Sequence, residues 1–235
     1  MENKKAIGIL GGMGPEASYY LYKTLIDLSI KYFGAKNNDD FPEIILHSIP
    51  VPDFISNDSD KKIALKILKD RIAQLNNANI ICLAIACNTA HILLDELKLV
   101  SEIPFLSMID EVVKQVDGDR INKVGLLTTP STIRYSLYQK ALEGKKMSAI
   151  VPNKKEQDLL EKIIRNVLRG KKTNEDQNRL LLISNSLKRK GAEGIILGCT
   201  ELPLLFPEKY VLPVYNSIKI LSVALLQKYY KQNTI

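Results

Sequence analysis

The feature that most restricts the fold is an alternation. Short β-branched runs are followed, time after time, by longer stretches with helical periodicity. The strand-like runs are Ala6–Leu10, Glu43–Ser48, Asn79–Ala86, Pro104–Ser107, Lys123–Leu127, Ser148–Val151, Gly194–Leu197 and Val211–Val214. The helical stretches between and after them are Pro15–Phe33, Ser59–Asn76, Thr89–Leu97, Asp110–Val116, Ser131–Ala141, Lys155–Leu168, Asn174–Lys190 and Ile218–Lys231. Glu2 to Lys5 reads as frayed. A chain built this way folds as α/β, with parallel sheets covered by helices.

The chain also repeats itself. "AIGILGGMGP" is similar to "KVGLLTTPST", "ANIICLAIACNTA" to "AEGIILGCTEL", and "IPFLSMIDEVV" to "LPVYNSIKILS". Pairing Gly8 with Gly125, Cys87 with Cys199 and Pro104 with Pro213 gives offsets of 117, 112 and 109. Three matches in the same order predict two similar α/β domains. We expect residues 1–104 plus 216–235 in the first, the last helix packing back onto it, and residues 105–215 in the second. A pseudo-twofold axis relating the halves would put an active site in the cleft between them.

The repeat gives the cysteines a meaning. Cys87 and Cys199 each end an apolar strand, and ligands of parallel sheets bind at the carboxyl ends of strands. Across a shared cleft, one thiolate could take a proton from carbon while the opposite thiol returns one to the other face. That is racemisation or epimerisation without a cofactor. A helix opening just after each cysteine, at Thr89 and Thr200, would favour the thiolate and hold a substrate carboxylate. Donors aimed at that carboxylate would stabilise the carbanion. Cys82, in mid-strand, reads as a small core hydrophobe. His47 reads as structural. His91 either orients the turn after Cys87 or takes part in the chemistry. Glu201 is either a first-turn acid or sets the protonation of Cys199.

Composition narrows the classes. Hydrophobic residues make up 46%, enough for a core. The net charge of +7 is spread in short clusters without interleaved aromatics, so it predicts a solvated surface and no nucleic-acid binding. The longest apolar run, Ile80 to Cys87, is far short of the roughly 20 residues of a membrane span. No signal peptide is visible, which predicts a cytoplasmic protein without a disulfide framework. With two histidines in the chain, and none beside Cys199, a metal site is disfavoured.

"GILGGMGPEAS", "ACNTAH", "PFLSMIDE" and "GAEGIILGCTEL" together resemble the aspartate racemase branch of the aspartate/glutamate racemase superfamily. The likeness runs from about residue 5 to 230. It implies a PLP-independent two-base racemase, usually a homodimer, with Cys87 and Cys199 as the bases. It also implies that the backbone around Met13, Asn88, Thr89, Thr129 and Thr200 holds the polar groups of an amino-acid substrate. Glutamate racemases usually carry His after the second cysteine motif, where this chain has Glu201. One departure concerns specificity. Aspartate-specific relatives commonly place Arg after the Pro-Asp pair, and Phe54 stands there in "IPVPDFISN". Arg clamps a carboxylate with two parallel bonds; Phe cannot. The place of a second cation falls near Arg169. Aspartate or glutamate leads as substrate, with other amino acids or related acids open. Tyr19 and Tyr20 read as packing residues.

Three other functions compete. G-x-G-x-x-A at Gly12, Gly14 and Ala17 suggests an NAD(P) oxidoreductase, but the acid that would bind the ribose is missing after the second strand. A non-catalytic amino-acid-binding protein would not need two matched thiols. A hydantoin racemase or maleate isomerase would keep the thiols and change the pocket.

Overall fold

A computed structural model describes residues 5–52 and 60–233. The chain forms two compact units, each with one parallel sheet. Among the described residues the first comprises 5–52, 60–108 and 218–233, and the second 109–217.

The first unit opens with β1 (Ala6–Gly11) and α1 (Pro15–Phe33). Pro15 starts α1 where its missing N–H costs nothing, and Gly34 in the left-handed region ends it. Then come β2 (Ile44–Ser48), α2 (Lys61–Leu75), β3 (Ile80–Ile85) and a short α3 (Leu94–Lys98). The strands lie in the order β2-β1-β3, all parallel. Strand periodicity sorts the core into two layers. Leu10, Leu83 and Ile85 face α2, packing on Ala64, Leu68 and Ile72. Ile7, Ile9 and Ala84 face Leu21 and Leu25 of α1. The same alternation puts Cys82 in the α1 layer and Cys87 in the α2 layer.

The expected strand at 104–107 is reduced to one parallel bridge, Phe105 to Leu83. Pro104 has no N–H to extend the ladder, and α4 (Met108–Gly118) begins at once. The bridge keeps residues 104–108 with the first unit.

In the second unit α4 leads into β4 (Lys123–Thr128), α5 (Pro130–Arg134), α6 (Leu137–Glu143) and β5 (Ser148–Ile150). One helix was expected over 131–141; Ser136, with φ of 55°, divides it. A hairpin of α7 (Lys154–Leu168) and α8 (Asn174–Arg189) follows, then β6 (Gly194–Gly198) and β7 (Val214–Asn216). A capping box starts α7: Asn153 Oδ1 accepts from Glu156 N–H, and Glu156 Oε2 accepts from Asn153 N–H. The order is β5-β4-β6-β7, all parallel. The last strand starts at Val214 rather than Val211, because Pro213 can only accept, from Ile195 N–H.

The final helix, α9 (Ser217–Asn233), lays Ile218, Leu221 and Leu225 on the α1 layer of the first unit. Tyr230 stacks on Phe33 and donates its hydroxyl to the Asp40 carbonyl. Tyr20 packs against this layer, but Tyr19 is 65% exposed. Successive helix residues differ by about 100° in direction, so Tyr19 cannot share the buried face of Ala17, Leu21 and Leu25.

Candidate functional site

In the first unit β1 and β3 end side by side. Leu10 is in register with Ile85, and Ala86 N–H donates to the Leu10 carbonyl at 2.9 Å. Past β1 the glycine-rich loop turns at Gly12, whose φ of +89° suits glycine. The Ser18 hydroxyl folds the loop onto α1, accepting from Gly12 N–H at 2.8 Å and donating to the Gly14 carbonyl at 3.2 Å. Met13 is half-buried against the apolar cluster that also contains Cys87. Past β3, the buried run Cys87, Asn88, Thr89 enters a tight 3-10 turn, Thr89–Leu93.

His91, also buried, closes that turn. Its Nε2 accepts the Met108 N–H at 3.1 Å, so the ring proton must be on Nδ1. Nδ1–H therefore donates to the Cys87 carbonyl, 2.9 Å away. The hydrogen bonds thus assign a neutral imidazole with both nitrogens engaged.

In the second unit β4 and β6 end side by side. Thr128 is in register with Gly198, and its hydroxyl donates to the Gly198 carbonyl at 2.5 Å. Thr129 and Cys199 are the next residues. Thr129 caps α5: its Oγ1 accepts from Thr132 N–H at 3.2 Å and donates to the Thr132 hydroxyl at 3.0 Å. Cys199 Sγ–H donates to Glu201 Oε2 at 3.0 Å, and the Thr200 hydroxyl donates to the same oxygen at 3.0 Å. Glu201 is buried, so its carboxylate meets the thiol in a setting that strengthens charge-assisted bonds.

Two expectations need correction. Neither cysteine is followed directly by an α-helix. After Cys87 the expected helix at 89–97 is present, as a 3-10 turn (Thr89–Leu93) that runs straight into α3, whereas only Leu202–Leu204 is 3-10 after Cys199. Few peptides align after Cys199, so a macrodipole contributes little there; the hydrogen bonds of Cys199 and Thr200 to Glu201 are the local polar contacts. Of the two readings of Glu201, the first-turn acid gives way to direct contact with the thiol. The remaining site residues are placed differently from one another. Arg169 is exposed and closes α7 through its backbone N–H. Phe54 lies outside the described residues.

Sequence reasoning missed Thr128, Gln157 and Tyr138. Gln157 Nε2–H donates to the Thr128 carbonyl at 2.9 Å. Tyr138 is fully buried against Gly198, and burial together with the nearby Cys199 pushes its phenol upward, keeping it a neutral hydroxyl. Nothing in the helical pattern around Tyr138 distinguishes it from a core aromatic.

At Cys82, burial in an apolar layer pushes the thiol up to about 11. None of the three cysteines is in a disulfide. Among the described residues, no group of three or more His, Cys, Asp or Glu is placed to hold a metal, and no helix is long and apolar enough to cross a membrane.

Each unit thus carries a buried thiol just past the carboxyl end of a parallel strand, followed by a tight turn. Known proteins are similar to the chain in sequence and in fold. The family model for Asp/Glu/Hydantoin racemases matches residues 10–225. RacX of Bacillus subtilis (strain 168), a broad specificity amino-acid racemase, is 33% identical over 138 residues, 59% of this chain. That match spans 60% of RacX. An aspartate racemase homologue from Pyrococcus horikoshii OT3 superposes with a TM-score of 0.80 at 32% identity, covering 96% of this chain and 99% of that one. The Picrophilus torridus aspartate racemase gives 0.82 at 27% identity, covering 96% and 94%. The family match runs through both units and both cysteine turns, and the chain belongs to the Asp/Glu/hydantoin racemase family.

Proposed function

We propose that the protein is an amino-acid racemase that needs no PLP and uses Cys87 and Cys199 as its two bases. The observation that carries this reading is the matched placement of the thiols. Cys87 lies two residues past β3 and Cys199 one residue past β6, each buried and each at the head of a tight turn.

The reaction requires the two sulfurs to meet one substrate from opposite faces. One thiolate takes the α-proton and becomes a thiol, and the electron pair of the C–H bond delocalises into the substrate carboxylate. The opposite thiol gives its proton to the other face and becomes the thiolate. Charge and protons balance, and the enzyme ends with its proton on the other sulfur. Glu201 is the acceptor through which Cys199 can lose its proton, since the carboxylate already receives the S–H. Backbone near Met13, Asn88, Thr89, Thr129 and Thr200 binds the substrate's polar groups. The family resemblance favours aspartate or glutamate. Phe54, in place of a carboxylate-clamping Arg, and the likeness to a broad specificity racemase favour a range that includes neutral amino acids. The same reading makes the enzyme a cytoplasmic homodimer.

The test incubates single enantiomers of aspartate, glutamate and neutral amino acids in deuterated water without PLP. Racemisation with deuterium at the α-carbon is expected. Cys87→Ser and Cys199→Ser should each abolish it, while one of them still exchanges the α-proton of a single enantiomer. Inactivity across the panel with verified reduced thiols, or full activity in either serine variant, overturns the two-base assignment.

A further inference from the structure

The Cys87 turn contains a substitution of side chain for backbone. In an α-helix the His91 N–H would bond to the carbonyl four residues back, that of Cys87. Here it bonds to the Asn88 carbonyl at 3.1 Å, the three-residue step of a 3-10 turn. The Cys87 carbonyl loses that backbone donor, and the ring Nδ1–H of the same residue supplies one at 2.9 Å. The other ring nitrogen accepts from the backbone N–H of Met108, also in the first unit. One neutral ring therefore fixes the peptide that carries Cys87 and ties it to the Met108 backbone within the first unit. A second proton on the ring would turn Nε2 into a donor facing a donor, so this arrangement leaves His91 no capacity to act as a base.

We propose that His91 is a positioning residue for Cys87: by holding the Cys87 carbonyl it keeps the turn in its tight form and sets where the thiol stands. The proposal rests on the reading of Cys87 as a group that meets substrate. The geometric claim about the thiol can nevertheless be tested without any turnover.

Three variants separate the two bonds. His91→Asn places an amide N–H near the Nδ1 position and keeps the donor to Cys87. His91→Gln places an amide oxygen near the Nε2 position and keeps the acceptor for Met108. His91→Leu keeps neither. The first readout is the rate of iodoacetamide alkylation of Cys87, with Cys199 as the internal reference, both followed by peptide mass spectrometry. Reactivity follows a thiol's surroundings, so His91→Gln and His91→Leu should change the Cys87 rate by about fivefold or more, and His91→Asn by less than about twofold. The second readout is racemisation. Small displacements of a reacting group cost large rate factors, so kcat should fall about tenfold or more in the Gln and Leu variants with little change in KM, and Asn should rescue it.

Unchanged Cys87 reactivity in folded His91→Gln overturns the proposal. So does a His91→Asn protein whose Cys87 behaves as in His91→Leu. If the Leu variant does not fold, the Asn and Gln pair still decides, because each keeps one of the two bonds. If no substrate is racemised, the alkylation rates decide the positioning role while the racemase reading fails by itself.

Discussion

Replacing Gly12 by alanine tests the glycine-rich loop most directly. The cost has two parts. Alanine at φ +89° is held in a region that L-residues disfavour, costing about 1–3 kcal/mol. Its Cβ would also drive into the Ile49 backbone, standing 2.6 Å from the carbonyl oxygen and 2.9 Å from the carbonyl carbon. Ile49 has little room to retreat. Its N–H is bonded to the Gly11 carbonyl at 3.0 Å, and its side chain is buried in the core cluster with Leu10. Such overpacking adds about 1–3 kcal/mol, for a total of about 2–6 kcal/mol, a large share of a typical domain's stability. Gly34 is the control. It too has positive φ, at +74°, but an added Cβ meets nothing within 4 Å. Gly34→Ala should cost only the conformational part, about 1–2 kcal/mol. Urea unfolding followed by circular dichroism reads both. At an m-value of about 2 kcal/mol/M, Gly12→Ala should lower the midpoint by about 1–3 M and Gly34→Ala by less than about 1 M. Equal losses in the two variants would refute the close approach of Ile49 as the reason for glycine at position 12.

Two further predictions concern acids and thiols. Glu201→Gln keeps the size of the side chain and removes its charge, so racemisation should fall about 10²-fold or more with unaltered circular dichroism; a loss under about twofold rejects the proton-accepting role. Cys82 should stay unalkylated in the native protein while Cys87 and Cys199 react, and equal rates at all three would contradict its apolar setting. The sign of its pH effect follows from the same setting. Burial raises the folded thiol to about 11 from 9.0, so the stabilisation is complete below pH 9 and is lost as pH rises toward 11. The stability difference between the natural protein and Cys82→Ala should shrink by about 2–3 kcal/mol across that window, and a constant difference would count against it.

The sequence made much of this readable because periodicity and repetition are local signals. Two-residue alternation and apolar runs marked the strands, and 3.6-residue spacing marked α1, α7, α8 and α9. Boundaries slipped where a single backbone group decided the outcome. Pro213 moved the start of β7, Pro104 left a bridge in place of a strand, and a left-handed Ser136 split a helix. Cys87 and Cys199 were legible because the repeat put both at strand ends.

What the sequence could not supply was hydrogen bonding between residues whose spacing fits several geometries. His91 follows Cys87 by four residues, which suits an α-helix as well as a 3-10 turn. Only the folded chain, with Met108 arriving seventeen residues later, fixes its tautomer and its hold on the Cys87 carbonyl. Glu201 likewise reads as a helix-start acid until the turn after β6 folds its carboxylate back onto the Cys199 sulfur. Tyr138 and Gln157 come to the β4 and β6 ends from separate segments, and no local pattern announces such convergence. Sequence alone determined the α/β class, most of the elements and the position of two cysteines past strand ends, because each follows from periodicity or from the repeat. Tertiary structure alone decided which groups hold those thiols, because that depends on which distant residues the fold brings within about 3 Å, the reach of a hydrogen bond.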